Sequence, residues 1–394
     1  MRITVIGPAY PLRGGIAHHV YCLKQELTRR GHSVQVISFR KLYPHIFFPG
    51  QTELDVSSAT LDAGAEPVLN PLNPITWARA FKSVKDFSPA LVIFQWWQPF
   101  FGLMIGTLVR LFHKKGLRCI IECHNVFPHE STPFDRLLLK FALPPADAFI
   151  THSREEEADL LPLVPGKRIS VASLPTPGEF FGGTNHARDG RTILFFGKVR
   201  KYKGLDVLLA AMPKVLSQID CQLLIVGEFY DSIERYRELI HKLELEQDVH
   251  IDSRYVPNEE VVGIFDRADV LVLPYLSATQ SAVAQIALRN GLPLIASRTG
   301  GLSEVVIENV NGLLFPPGDS NALADQIISY FKNSLGPVFA NLTAVAVTDG
   351  KTLAELIEDL VQGDQGDDSA QKAIENAIDT TAGSRWSVKA QPPN

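Results

Sequence analysis

The sequence TILFFGKVRKYKGLD, residues 192–206, places a buried strand, a basic loop and the start of a helix in direct succession. Thr192–Phe196 is a short apolar run, and Leu205–Val215 has the apolar spacing of an amphipathic helix. Four cations lie in the loop between them, which has a glycine at each end. Strand, loop and helix in this order begin a crossover unit, which builds a parallel sheet. The stretch therefore predicts a doubly wound α/β domain around it.

The same alternation extends over the rest of the second half of the chain. Apolar runs bounded by turn residues predict further strands at Gln222–Val226, Val249–Asp252, Val270–Leu273 and Pro293–Ser297. Stretches with helical spacing predict helices at Ser232–Leu243, Gln280–Arg289, Leu302–Glu308, Asn321–Lys332 and Thr352–Val361.

The first half of the chain shows a second series of the same kind. Its predicted strands are Ile3–Ile6, Val34–Ser38, Leu91–Gln95, Arg118–Glu122 and Ala148–Thr151. Its clearest predicted helices are Ala17–Arg30 and Leu103–His113. A second doubly wound, Rossmann-like domain is therefore expected before the first motif.

Proline and glycine cluster between residues 174 and 190 without a periodic apolar face, which predicts a linker. We expect Rossmann-like domains at 1–173 and 191–345, followed by a closing helix at 346–362. Residues 363–394 are rich in Gly, Asp, Ser and Ala and predict a mobile tail. The fold class is thus α/β, with two doubly wound domains facing across a cleft. Ligands of such sheets bind beyond the carboxyl ends of the strands.

Composition and charge exclude several classes of protein. The formal net charge of −5 argues against broad electrostatic capture of nucleic acid, so no nucleic-acid partner is expected. Among the four cysteines, Cys119 and Cys123 have no second pair to complete a zinc site, and all four are expected to be buried thiols. A signal peptide and an apolar run of about 20 residues are both missing, so a cytoplasmic protein is expected.

Two aromatic or apolar stretches of the first half have two interpretations each. Trp96 and Trp97 follow a predicted strand, where they either pack in the core, as we expect, or stack on a sugar. Pro99–Lys115 is apolar with a basic end. We interpret it as a buried crossover helix, with peripheral contact to anionic lipid on the inner face of the membrane as the alternative.

Two glycine-containing loops have the composition of phosphate sites. Gly14 and Gly15 separate the first strand from the first helix, where backbone amides and the helix start favour an anion, although a flexible turn has the same composition. Gly197, Lys198 and Lys203 belong to the basic loop quoted above, and lysines at this place suit a diphosphate. A solvated basic loop is the alternative.

Polar residues also follow two other predicted strands. Thr279, Gln280 and Ser281 lie between a strand and an apolar helix, where they either meet an anion or simply cap the helix. His124 lies at the end of an N-terminal strand, facing the predicted cleft. A catalytic role and a structural role are equally compatible with a single histidine there.

In this order along the chain, the motifs resemble those of retaining glycosyltransferases of the GT-B fold, in the group 1 family (family four). The resemblance covers residues 1 to about 318. It rests on Gly14-Gly15-Ile16, Arg30-Gly31-His32, His124-Asn125, Gly197-Lys198, Lys203-Gly204-Leu205-Asp206, Val226-Gly227-Glu228, Gly291-Leu292-Pro293, Gly300-Gly301 and Asn311-Gly312-Leu313-Leu314-Phe315.

The resemblance implies a role for each site residue. Gly15 would present its amide to the donor diphosphate, and Lys198 and Lys203 would neutralise the phosphates. His124 would contact the transferred sugar. The segment that would frame the nucleobase is Arg254, Tyr255 and Val256. The donor would bind the C-terminal domain and the acceptor the N-terminal domain.

One departure from the family pattern concerns two glutamates that normally precede the Gly-x-Pro. Their positions fall on Ala278 and Ile286. Gln285 is a candidate replacement for the second glutamate, and the cluster from Thr279 to Ser281 adjoins the first position. This matches a variant subset with Ser-Ala-Thr-Gln-Ser in place of the glutamate motif.

The expected function is transfer of a hexose-type sugar from a nucleoside-diphosphate sugar to a glycan, lipid-linked or small-molecule acceptor, as in polysaccharide or cell-envelope synthesis. Retention is implied by the resemblance, and catalysis without a metal or cofactor is expected because no Asp-x-Asp sequence occurs. A sugar-nucleotide epimerase of the same fold and a non-catalytic sugar-nucleotide-binding protein remain alternatives. A dinucleotide oxidoreductase is disfavoured because no Gly-x-Gly-x-x-Gly follows the first strand.

Overall fold

The computed structural model describes residues 1–43, 53–58, 60–127, 133–175, 190–346 and 352–362. Two compact units are distinguished, Met1–Ala354 and Glu355–Asn394. The first contains both sheets described below. The predicted tail, 363–394, and most of the predicted linker, 176–189, lie outside the described residues. The proposed domain boundaries therefore stay predictions.

The N-terminal sheet has seven parallel strands in the order β3-β2-β1-β4-β5-β6-β7. The strands are β1 Arg2–Ile6, β2 Ser33–Phe39, β3 Glu66–Leu69, β4 Leu91–Trp96, β5 Arg118–Cys123, β6 Ala148–Thr151 and β7 Arg168–Val171. The helices of this half are α1 Gly15–Arg29, α2 Pro74–Phe87, α3 Gly102–His113, α4 Pro133–Ala142 and α5 Arg154–Leu160. The order reverses at β1 and β4, which is the switch point where doubly wound sheets bind ligands.

The C-terminal sheet has six parallel strands in the order β10-β9-β8-β11-β12-β13. The strands are β8 Thr192–Phe196, β9 Gln222–Val226, β10 Val249–Asp252, β11 Val270–Leu273, β12 Leu294–Ser297 and β13 Gly312–Phe315. The helices are α6 Leu205–Leu216, α7 Ile233–Lys242, α8 Asn258–Asp266, α9 Ala282–Arg289, α10 Leu302–Val305, α11 Ser320–Lys332, α12 Leu335–Ala346 and α13 Leu353–Gln362. Here too the order reverses, between β8 and β11.

These sheets confirm the predicted fold class of two doubly wound α/β domains. The predicted helix Gln280–Arg289 begins two residues later, because the Ser281 hydroxyl accepts a hydrogen bond from the Ala284 amide at 3.2 Å and caps α9. The predicted helix Leu302–Glu308 was too long, since α10 ends at Val305.

The core interpretations of the cysteines and tryptophans are confirmed. All four cysteines are buried and free. Trp96 is fully buried, and Trp97 is nearly so, with its indole N–H donating to the hydroxyl of Tyr43 at 2.9 Å. Most of α3 is also buried, as a crossover helix requires. Among the described residues, no helix is long and apolar enough to cross a membrane.

Candidate active site

A cluster of cations lies where the first strands of the two sheets end. Lys198 and Lys203 follow β8, and the side chain of Lys203 is buried. A Cβ placed on Gly14 would lie 3.8 Å from Nζ of Lys198, and one on Gly197 would lie 3.3 Å from Nζ of Lys203. The glycine loops after β1 and β8 therefore meet at the same place, which agrees with the resemblance that assigned both loops to one diphosphate.

The start of α1 is suited to receive an anion beside these lysines. Gly14 has a φ of 122°, a conformation that side-chain-bearing residues rarely adopt, and it turns the chain from β1 into the helix. Gly15 is exposed, and a Cβ placed on it would meet no heavy atom within 4 Å. The first amides of a helix have no partner within the helix, so a phosphate in this space can accept from them.

Arg13 completes the cluster, and the sequence analysis did not identify it. Its guanidinium is buried, forms an ion pair with Glu228 at 2.7 Å and lies 4.8 Å from the ring centre of Tyr255. Glu228 follows β9 of the other sheet, so this pair joins the two halves across the cleft. The available signal was position alone, since Arg13 directly precedes the glycine pair.

The electrostatics of the cluster show an excess of positive charge. Although solvent reaches Lys198, desolvation by the surrounding protein, followed by repulsion from Arg13 and Arg200, lowers its pKa to about 8. Burial, with repulsion from Arg200, also lowers the pKa of Lys203. Within the described residues, neither lysine forms an ion pair with a carboxylate. Bound negative charge would therefore stabilise this site strongly.

The loop before α9 reaches the N-terminal half. The Thr279 hydroxyl donates to the side-chain oxygen of Asn125, and the Gln280 amide donates to the backbone carbonyl of His152. Ser281 is buried as the helix cap, and Gln285 lies one turn further along α9. Thr279 thus lies beside the residue that follows His124, and Gln280 lies beside His152.

The segment predicted to frame the nucleobase is held by neighbouring side chains. Arg254 donates to Asp252 and Glu260, and Val256 is buried. The Tyr255 hydroxyl donates to Asp55 of the N-terminal half at 3.2 Å.

A short segment of the N-terminal half, residues 53–58, covers the region around Tyr255 from the other side of the cleft. The Asn258 amide N–H donates to the hydroxyl of Ser57 at 2.9 Å, and its side chain donates to Asp55 at 3.3 Å. Ser58 donates to Glu259 at 2.6 Å. The described residues 53–58 therefore lie against the start of α8, next to Tyr255.

His124 belongs to a buried polar network that was not apparent from the sequence. Its Nε2 lies 2.5 Å from Oε1 of Gln95, whose amide nitrogen donates to Glu122 at 2.6 Å. Glu122 also contacts Nε2 of His19 at 2.7 Å and Nε2 of His152 at 3.3 Å. The signal for this network was the presence of Gln95 and Glu122 within otherwise apolar strands.

The charges within the network compensate one another. Burial alone would raise the pKa of Glu122, but His19 and His152 hold it well below its ordinary value. Burial disfavours the charged form of His152, but its contacts with Glu122 outweigh this and raise its pKa. Burial, together with His19 and His152, lowers the pKa of His124 well below its ordinary value. His124 is therefore neutral beside an ion pair.

Among the described residues, three histidines of this network form a group that could hold a metal ion. The ligand atoms of His19, His124 and His152 all lie within 4.8 Å of one another. Imidazole nitrogens suit Zn²⁺. However, both ring nitrogens of His152 are already engaged, Nδ1 by the Ala172 carbonyl and Nε2 by Glu122, so an ion would have to displace one of these contacts. We assign the cluster as a buried network of charged and polar contacts around Glu122, and catalysis without metal stays a prediction.

Two family models match this chain. The family model described as Glycosyltransferase Family 4 matches residues 13–175, and the model described as Glycosyl transferases group 1 matches residues 190–333. The chain belongs to the group 1 glycosyltransferases. The predicted enzyme class, a glycosyltransferase, is thereby confirmed.

Individual proteins support the same assignment. An uncharacterized glycosyltransferase of Methanocaldococcus jannaschii is 23% identical over 359 residues, which are 84% of this chain and 89% of that protein. Sucrose-phosphate synthase from Thermosynechococcus elongatus superposes with a TM-score of 0.69 at 20% identity, covering 96% of this chain and 100% of that one. HepE from Anabaena in complex with UDP-glucose superposes with a TM-score of 0.65 at 15% identity, covering 92% and 98%. The two structures establish the GT-B architecture.

In this group 1 glycosyltransferase, most of the predicted site residues border one cleft. Both glycine loops and both lysines come together, and Thr279 and Gln280 approach from the C-terminal half toward the neighbourhood of His124. The guanidinium of Arg254 is instead engaged by two carboxylates at the edge of the cleft. Donor-binding roles for these residues stay predictions.

Proposed function

We propose that this glycosyltransferase transfers a hexose-type sugar from a nucleoside-diphosphate sugar to a glycan, lipid-linked or small-molecule acceptor, with retention and without a metal ion. The observation that carries the proposal is the excess of positive charge at the meeting point of two glycine loops. Neither Lys198 nor Lys203 forms an ion pair with a described carboxylate, and Glu228, the acidic residue that acts on Lys198, is already paired with Arg13. A diphosphate supplies the missing negative charge, and UDP is the first choice because HepE, a protein of this fold, is in complex with UDP-glucose.

The proposed chemistry places the stabilising charges where negative charge develops. As the bond between the anomeric carbon and the phosphate oxygen breaks, its electron pair moves onto the leaving diphosphate. Lys198, Lys203 and the amides at the start of α1 are fixed near this position, so they need no rearrangement as the charge forms. The acceptor hydroxyl forms the new bond, and its proton passes to the departing phosphate oxygen.

A surface of the N-terminal half supports a lipid-linked acceptor. The side chains of Leu103 on α3 and of Phe134 and Leu137 on α4 are exposed, and the two helices pack against each other. Lys114 and Lys115 follow α3 with exposed side chains. Exposed apolar residues and cations on one pair of packed helices suit the surface of an anionic membrane, and we retain peripheral membrane contact as part of the proposal.

Transfer of a labelled sugar tests the proposal. Labelled UDP-glucose, GDP-mannose and ADP-glucose are each incubated with oligosaccharides, small polyols and lipid-linked sugars in anionic vesicles, with and without EDTA. We expect one donor to label one acceptor class through a linkage that keeps the anomeric configuration of the donor, equally in EDTA. Inversion of the anomeric configuration would contradict the proposed retention. Loss of activity in EDTA that Mg²⁺ restores would contradict catalysis without a metal ion. Isomerised donor without transfer would instead indicate the epimerase.

The pKa of Lys198 predicts an unusual pH dependence of donor binding. Because this pKa is about 8, the free protein loses a cation as the pH rises through 8, whereas an ordinary lysine stays charged to about pH 10. The affinity for UDP should therefore fall above pH 8. Calorimetric titration with UDP from about pH 7 to 9 measures this, and the variants compared below experience the same change in the charge of UDP itself.

The variant Lys198→Arg is the critical comparison, since arginine keeps its proton at every pH of the series. Its affinity for UDP should stay level where that of the wild type falls. Lys201→Arg, in the same loop but exposed, should retain the wild-type profile. A level profile in the wild type would show that Lys198 does not contribute its charge to binding.

A further inference from the structure

Two polar side chains at the ends of buried strands determine which hydrogen bonds His124 can make. Gln95 on β4 and Glu122 on β5 are almost completely buried. Glu122 accepts from the amide nitrogen of Gln95 at 2.6 Å, and the amide oxygen of Gln95 lies 2.5 Å from Nε2 of His124. The three side chains thus form a continuous chain across neighbouring strands that ends at the cleft.

The position of each proton in this series of hydrogen bonds follows from the ionised state of Glu122. Glu122 is held in its ionised form by His19 and His152, and an ionised carboxylate can only accept hydrogen bonds. Gln95 must therefore turn its NH₂ group toward Glu122 and its oxygen toward His124. An amide oxygen also only accepts, so Nε2 of His124 must carry a proton. Because His124 is neutral, its other nitrogen, Nδ1, has none.

We propose that Gln95 and Glu122 are positioning residues that hold His124 as the neutral Nε2–H tautomer, so that Nδ1 accepts a hydrogen bond from a hydroxyl of the transferred sugar. Nδ1 has no hydrogen-bond partner among the described residues. The role in sugar binding rests on the proposed function, whereas the tautomer is a property of the protein without ligand. A hydroxyl that donates fits this site, and a group that only accepts does not.

The packing around Gln95 gives a second way to disturb the hydrogen bonds between Glu122, Gln95 and His124. Gly7 follows β1, next to β4 in the sheet. A Cβ placed on Gly7 would lie 2.5 Å from Cγ and 2.9 Å from Cβ of Gln95. Contacts this short require the Gln95 side chain to move, so Gly7→Ala should displace it from His124. Unlike a substitution of Gln95 itself, this variant retains the amide group of Gln95.

Long-range ¹H–¹⁵N spectra of the ligand-free protein test the tautomer, since a protonated and a bare imidazole nitrogen have distinct shifts. The wild type should show Nε2 of His124 protonated and Nδ1 bare at neutral pH. Gln95→Met, which keeps the volume of the side chain, should give a mixture of the two neutral tautomers of His124. Gly7→Ala should likewise increase the share of the Nδ1–H tautomer. Gln35→Met is the matched control, because Gln35 lies in the same sheet and its amide donates to Glu66 at 3.1 Å without a histidine partner.

A wild-type spectrum with Nδ1 protonated, or with His124 cationic, would overturn the proposal. So would a Gln95→Met spectrum identical to that of the wild type. Thermal unfolding of each variant confirms that the compared proteins are folded.

Calorimetric titration with UDP-glucose and with UDP tests the consequence for the sugar. Gln95→Met should weaken UDP-glucose binding about three- to tenfold, the range for one hydrogen bond, and leave UDP binding unchanged because UDP lacks the transferred sugar. Equal loss for both ligands, or none for either, would overturn the role in sugar binding. If neither ligand binds the wild type, the proposed donor is wrong, and the spectra still decide whether Gln95 and Glu122 fix the tautomer.

Discussion

Replacing Lys203 with alanine is expected to reduce turnover on the order of 10²–10³-fold, the usual effect of removing one fixed donor to a developing anion. Lys203 is buried against the ring of Tyr275 and has no described carboxylate partner. Its charge is therefore available to the leaving diphosphate in a place that water enters poorly, where electrostatic interactions are strong. The effect should appear in kcat as well as in donor affinity.

The measurement is the rate of labelled-sugar transfer under saturating acceptor. Lys201→Ala is the matched control, because Lys201 lies two residues away in the same turn but is exposed. We expect it to change the rate by less than about threefold, in line with the small contribution of exposed charges. Comparable losses in both variants would mean that the loop acts by its overall charge rather than through Lys203.

Replacing Glu122 with leucine should lower the free energy of unfolding by about 3–5 kcal/mol, because it removes one partner of a buried ion pair and leaves the others uncompensated. Glu122 is fully buried and contacts His19, His152 and Gln95. Urea unfolding monitored by circular dichroism measures the loss. Glu66→Gln is the control, since Glu66 is exposed and bonds to Gln35 and Ser83 at the edge of the same sheet.

The pH dependence of this difference has a definite sign. The folded-state pKa of Glu122 is lowered, so its contribution is present above the ordinary carboxyl value of 4.5 and is lost as the pH falls. The folded-state pKa of His152 is raised, so its contribution is present below the ordinary imidazole value of 6.5 and is lost as the pH rises. The destabilisation by Glu122→Leu should therefore be largest between about pH 5 and 6.5. A difference that is constant from pH 5 to 8 would show that the ion pair does not stabilise the fold.

The strands that were predicted with their observed bounds include buried strands and one edge strand, Val249–Asp252. Thr192–Phe196 and Gln222–Val226 were predicted with their observed bounds, because a continuous apolar run with turn residues on either side leaves little choice. The edge strands β3 and β7 and the strand β13 were not predicted. β3 contains Glu66 and Pro67, and β7 contains Arg168 and Ser170, so neither has an apolar run. Their pairing is determined by the neighbouring strand.

The site residues, like the strands, differ in whether the neighbouring sequence is enough to predict them. Gly14, Lys198 and Lys203 were identified because each lies in a loop whose own composition suits a phosphate. Arg13 and Glu228 are separated by 215 positions, and only the folded sheets bring them together. The same is true of Gln95 and Glu122, which are 27 positions apart. A single polar residue in an apolar strand indicates a buried partner but does not identify it.

In the proposed function, the cationic cleft binds the diphosphate of a nucleotide sugar. Calorimetric titration of the wild type and of Lys203→Ala with UDP-, GDP- and ADP-sugars tests it most directly, since it needs no acceptor. We expect one-to-one, micromolar binding of one nucleotide class, lost in Lys203→Ala and retained in Lys201→Ala. Failure of every nucleotide sugar to bind the folded wild type, or equal binding to Lys203→Ala, would contradict it.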